Sequence, residues 1–95
     1  MEFRDQGTQD VFNGIGSKAA RKACPASIHA VASRKLQYLN AAAILDDPKV
    51  PPGNNLHALT GDRKGQHAIS INDQYRVCFR WTDAGPVEVE ITDYH

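Results

Sequence analysis

The chain is poor in the features that announce many protein classes. It has two cysteines, Cys24 and Cys78, and they do not form a CxxC pair. That excludes a disulfide framework and points to reduced thiols in a cytoplasmic protein. No apolar run approaches the ~20 residues that span a bilayer. The first residues, Met1-Glu2-Phe3-Arg4-Asp5, lack the apolar core of an export signal, so no membrane association is expected. No repeat or low-complexity stretch is present. Charge of one sign is not in excess either: 11 Lys and Arg balance 11 Asp and Glu. Ninety-five residues suit one domain over 1–95 with one modest core.

The balanced charge is unevenly spread. Lys18, Arg21, Lys22, Arg34 and Lys35 fall in a stretch without an acid. Screening limits each charge to ~8–10 Å, so a local basic surface can hold phosphate although the total is zero. A solvated helix face explains the same pattern without a ligand.

The first half reads as helical. Met1 to Phe3 fits a short strand. Thr8 fits the N-cap of a short helix carrying Val11, Phe12 and Ile15, with Gly14 and Gly16 as stops. Pro25 suits the first turn of a longer helix. Ile28, Val31, Ala32, Leu36, Leu39 and Ala43 recur at helical spacing and predict an apolar stripe ending near Ile44 or Leu45. Three prolines and a glycine between Asp46 and Asn55 predict a loop.

Beyond that loop the period becomes two. Leu56 and Leu59 bracket a short strand. Ile69 and Ile71, then Tyr75, Val77, Phe79 and Trp81, then Val87, Val89 and Ile91 give three strands with one apolar face each. A three-residue loop at Asn72-Asp73-Gln74 pairs Ile69 with Val77. A three-residue loop at Asp83-Ala84-Gly85 pairs Val77 with Ile91 and sets Arg80 opposite Glu88. The expected class is α+β, with an N-terminal helical pair packed on a mainly antiparallel sheet. The face away from the core then carries Ala68, Ser70, Arg76, Cys78, Arg80, Glu88, Glu90 and Thr92.

Several side chains suit acid–base or phosphate chemistry. His29 and His67 read as boundary residues of the helix and of the core face. His57 follows the proline-rich loop among glycines and bases. Gly61-Asp62-Arg63-Lys64-Gly65 sets two bases between two glycines, a turn that can present N–H groups and charge to phosphate. Such a turn also closes ordinary hairpins. Arg76 is a cation in mid-strand on the non-core face, with Glu90 diagonal to it as a simple partner. No histidine pair has helical or hairpin ligand spacing, and neither cysteine lies near one, so no metal site is expected.

Taken in order, three segments resemble the HigB toxins of the RelE/ParE superfamily. They are Leu56-His57-Ala58-Leu59-Thr60-Gly61-Asp62-Arg63-Lys64-Gly65, Ile69 through Phe79, and Val89-Glu90-Ile91-Thr92-Asp93-Tyr94-His95. The resemblance extends more loosely to Phe12 and to Gly16-Ser17-Lys18. It implies a RelE-like fold and a ribosome-dependent endonuclease that cuts messenger RNA in the A site without metal or cofactor. It carries catalytic roles to His57, Arg76, Asp93, Tyr94 and His95, and phosphate contacts to Arg63 and Lys64. It implies a helix-turn-helix antitoxin (HigA-like), a toxin–antitoxin hetero-oligomer, and the ribosome as partners. The neutral net charge departs from the many basic members of the superfamily.

These residue types fit the implied chemistry. Cleavage of RNA needs a base for the 2′-hydroxyl, an acid for the leaving 5′-oxygen and a cation for the phosphorane. Histidine serves either proton role near neutral pH, and arginine can clamp a phosphate with two N–H groups. Tyr94 would stack on a base or orient the phosphate, and Asp93 would act as base or fix a histidine. A carboxylate beside His95 at the chain's end favours its imidazolium, which suits an acid. Which histidine is base and which is acid stays open. A relative that poisons gyrase, as ParE toxins do, shares the fold but lacks the histidine and the acid–aromatic–histidine set. An inactive antitoxin-binding module would not need them.

Overall fold

The computed structural model describes residues 1–93. Three helices, α1 (Gln6–Phe12), α2 (Lys18–Ala23) and α3 (His29–Ala41), precede four strands, β1 (His57–Ala58), β2 (His67–Ser70), β3 (Tyr75–Thr82) and β4 (Gly85–Asp93). The strands form one antiparallel sheet in the order β1-β2-β3-β4. Phe3 adds a parallel bridge to Val89 beyond β4. The α+β arrangement expected from the sequence is the one observed, with α2 as a third, shorter helix.

Each helix has a local cause. The carboxylate of Asp5, not Thr8, caps α1 by accepting the Thr8 N–H. Thr8 belongs to the first turn and is fully buried. Ser17 caps α2 in the same way through the Ala20 N–H. At the other end of α2, Nε2 of His29 sits 3.1 Å from the Ala20 carbonyl and 2.9 Å from that of Cys24, which satisfies acceptors a helix end leaves open. Helix α3 stops at Ala41, short of the Ile44 end that the apolar spacing predicts. Asp47 takes the N–H groups of Ala43 and Ile44, which a continuing helix would use for itself. Helices α1 and α2 meet at Gly7, where a Cβ would lie 2.4 Å from the Ala19 carbonyl oxygen.

The core lies between the helices and one face of the sheet. Val11, Ala20, Cys24, Ala32, Leu36 and Leu39 pack on Ile69, Ile71, Val77, Phe79, Val89 and Ile91. At roughly 25 cal/mol per Å² of apolar area removed from water, this cluster is the main term holding the helices down.

The β2–β3 register follows the expected three-residue loop, with Ile69 opposite Val77. The β3–β4 hairpin does not. Thr82 pairs with Gly85 across a two-residue turn, and Arg80 faces Val87. That register would turn Val89 and Ile91 out of the core. A bulge at Glu88, with φ of 52°, inserts one residue and restores the phase, so Val77 faces Ile91 as predicted. Pro86 is therefore buried, and Val87 shares the face of Arg80 rather than of the core.

Candidate functional site

The sheet face turned away from the helices carries His57 and Arg76. Across it, Ser70, Arg76 and Thr92 form one cross-strand row. His57, Ala68, Cys78 and Glu90 form the next. His57 and Arg76 thus share a face. Two strand spacings of ~4.8 Å and two residue rises of ~3.3 Å separate their Cα positions by about 12 Å. Both side chains are half-buried.

His57 is held locally. Its Nδ1 lies 2.7 Å from the main-chain carbonyl of Asn55. Asn55 adopts the left-handed conformation, φ 50° and ψ 51°, which asparagine tolerates better than most residues.

The loop between β1 and β2 folds over the second row. Arg63 donates to Glu90 at 2.7 Å and to Gln66 at 3.0 Å. The Glu90 hydrogen bond raises the Arg63 pKa and ties this cation into the protein. Glu90 also faces Arg4 at 3.7 Å. The main chain of the loop approaches Arg80, whose Nη1 is 3.4 Å from the Gly65 carbonyl. Arg80 is engaged on its other side by Glu88 at 2.7 Å, a bond that lowers the Glu88 pKa. Lys64, next to Arg63, is exposed. The two expected phosphate-binding bases therefore differ: Lys64 points outward, and Arg63 is engaged with Glu90.

Asp93 occupies the end of β4 opposite Tyr75. Strand alternation gives Thr92 the face of Arg76 and gives Asp93 the helix side, where its Oδ2 accepts from the Gln74 side chain at 3.0 Å. There it borders an open groove of about 640 Å³ shared with Asp5, Lys22, Tyr75 and Ile91. Tyr94 and His95, also named as candidates from the sequence, lie outside the described residues.

Of the bases between Lys18 and Lys35, Lys18, Arg21, Lys22 and Arg34 are exposed. Lys35 is buried. Its Nζ lies 2.5 Å from the side-chain oxygen of Asn54, and burial lowers its pKa. It is part of the scaffold and not of a basic surface. Both cysteines are free and buried. Cys24 is buried in the core, and that burial pushes its thiol up to about 11. Cys78 contacts the Thr92 hydroxyl at 3.1 Å. Among the described residues, no three His, Cys, Asp or Glu side chains come together as a metal site. No helix among them is long and apolar enough to cross a membrane.

Three roles are not legible in the sequence. Asn55 orients His57, Glu90 holds Arg63, and Arg80 braces the loop from the sheet. Of these, Asn55 carried a signal, since an asparagine after Pro-Pro-Gly-Asn suits a left-handed turn.

Comparison with known proteins assigns the chain. The family model described as the RelE-like toxin of type II toxin–antitoxin system HigB matches residues 1–95. The chain belongs to the HigB-like toxin family. Toxin HigB-1 of Vibrio cholerae is 35% identical over 83 residues, which cover 87% of this chain and 84% of that protein. An uncharacterised protein of Haemophilus influenzae is 30% identical over 57 residues, 60% of this chain and 56% of its own length. As a HigB-like toxin, the protein has a protein antitoxin as its partner.

Proposed function

We propose that this HigB-like toxin, acting as one domain over residues 1–95 in the cytoplasm, is an endoribonuclease. It cuts messenger RNA in the ribosomal A site by acid–base chemistry. The observation that carries the reading is the common sheet face of His57 and Arg76, a proton-transfer group and a cation. Arg76 stabilises the charge that develops on the phosphorane, and His57 moves a proton. Lys64 adds an exposed phosphate contact beside them. Asp93, Tyr94 and His95 complete the set on the strength of the family resemblance. Asp93 acts by orienting the strand end, because its side chain lies on the other side of the sheet.

The exposed bases on α2 neutralise few phosphates, so free RNA is a poor ligand and the ribosome supplies the substrate. A helix-turn-helix antitoxin of HigA type restrains the toxin as a hetero-oligomer. The test is in vitro translation with and without the purified protein, followed by primer extension on the message. Cuts located at codons on translating ribosomes, with little cutting of naked RNA, are expected. Equally efficient cutting of naked RNA would sink the reading.

A further inference from the structure

The buried Lys35 has no part in the chemistry above, yet it anchors the segment that holds His57. Its ammonium meets the side-chain oxygen of Asn54, and Asn54 donates to the Pro48 carbonyl at 3.1 Å. Asn54 is fully buried. The following residue, Asn55, donates its N–H to the Pro52 carbonyl at 3.0 Å. The turn is thus fixed from the core outward, from Lys35 to Asn54 to Asn55. Its last element is the Asn55 carbonyl, aimed at Nδ1 of His57 at 2.7 Å.

A carbonyl oxygen can only accept. The nitrogen facing it must carry the hydrogen, so neutral His57 holds its proton on Nδ1 and presents a lone pair on Nε2. We propose that Asn55 is a positioning residue whose carbonyl fixes this tautomer and makes Nε2 of His57 the base for the 2′-hydroxyl. The proposal rests on the nuclease reading and assigns the proton role that the sequence leaves open. In the step, Nε2 takes the 2′-hydroxyl proton and the 2′-oxygen forms a bond to phosphorus. The bond from phosphorus to the 5′-oxygen breaks, and that oxygen keeps the electron pair and takes a proton from a general acid. The products are a 2′,3′-cyclic phosphate, a 5′-hydroxyl and a His57 imidazolium that returns its proton to solvent.

The experiment reads the tautomer directly. Nitrogen-15 NMR of the full chain, above the ordinary imidazole range, should show His57 protonated at Nδ1 and bare at Nε2. Asn55→Val disfavours the left-handed turn, and Asn55→Gly keeps it open. In the valine variant the Nε2–H tautomer should grow. The cleavage rate on programmed ribosomes should fall about tenfold with KM unchanged, a part of the ~10²–10⁴ that a positioned base contributes. The glycine variant should stay near wild type. A wild-type spectrum dominated by the Nε2–H tautomer overturns the proposal whatever the variants do, and leaves the nuclease reading intact. The expected tautomer without any message cleavage removes the base role together with the nuclease reading.

Discussion

The hydroxyl oxygen of Thr8 accepts the main-chain N–H of Ile91 at 3.0 Å, in the interior of the protein. Helix α1 thereby holds the last turn-free stretch of β4, next to Thr92 and Asp93. Removing the hydroxyl by Thr8→Val leaves a buried N–H without its acceptor and costs about 1–3 kcal/mol. Urea denaturation measures the loss. Growth arrest by the variant should weaken even at temperatures where it stays folded.

Gly7 is the tightest point of the α1–α2 hairpin. Gly7→Ala drives a methyl group toward the Ala19 carbonyl oxygen, which is main chain and cannot swing aside. The expected cost is about 1–3 kcal/mol, the scale of overpacking. Gly16→Ala, with nothing within 4 Å of its Cβ, is the control. Equal denaturation midpoints for the two variants would show that the helices separate freely.

Arg63 and Lys64 are neighbours with different tasks. Arg63→Ala breaks the Glu90 contact and loosens the loop. The cost is on the order of 1 kcal/mol, because both partners keep some access to water. Glu90→Gln should cause a similar loss, and a double-mutant cycle should show coupling. Lys64→Ala should leave stability alone and reduce the salt dependence of ribosome binding. The reverse pattern, with Lys64 destabilising and Arg63 silent, contradicts these assignments.

Arg76→Ala should lower the cleavage rate by roughly 10²–10³, the usual scale for a lost electrostatic donor. The core face is not involved, so circular dichroism and the denaturation midpoint should change little. A variant as toxic as wild type would reduce Arg76 to a structural strand residue.

Acid stability should depend on Asp10. Hydrogen bonds from Ser17 (2.6 Å) and then Gln6 (2.7 Å) lower its pKa in the folded protein. A carboxylate with a depressed folded pKa stabilises above its unfolded value. That contribution is lost as pH falls through the lower, folded value. Ser17→Ala should therefore remove more stability at neutral pH than below the carboxylate range. It also deletes the α2 cap, at about 1 kcal/mol at every pH. Thermal unfolding of both proteins across pH separates the constant loss from the titrating one.

The sheet and its outward face were legible because alternation carries that information directly. Ile69, Val77 and Ile91 could sit on one face only if Arg76 and Thr92 sat on the other. The helices were less legible. The apolar spacing that marks α3 continues past Ala41, while the Asp47 side chain that ends it lies six residues on. Lys35 reads as a surface base, since its partner Asn54 is brought close only by the fold. The β3–β4 turn misled for a similar reason. A two-residue turn with a bulge and a three-residue loop without one set Val77 against Ile91 alike, and period alone does not separate them.

The bulge at Glu88 works as a phase marker for everything after it. Deleting that residue while keeping the turn would not merely remove the partner of Arg80. It would turn the strand inside out from Val89 onward, presenting Val89 and Ile91 to solvent and driving Glu90 and Thr92 toward the helices. Which side chains β4 lends to the face of His57 and Arg76, Glu90 and Thr92 in place of Val89 and Ile91, is therefore decided by one extra residue close to the hairpin turn.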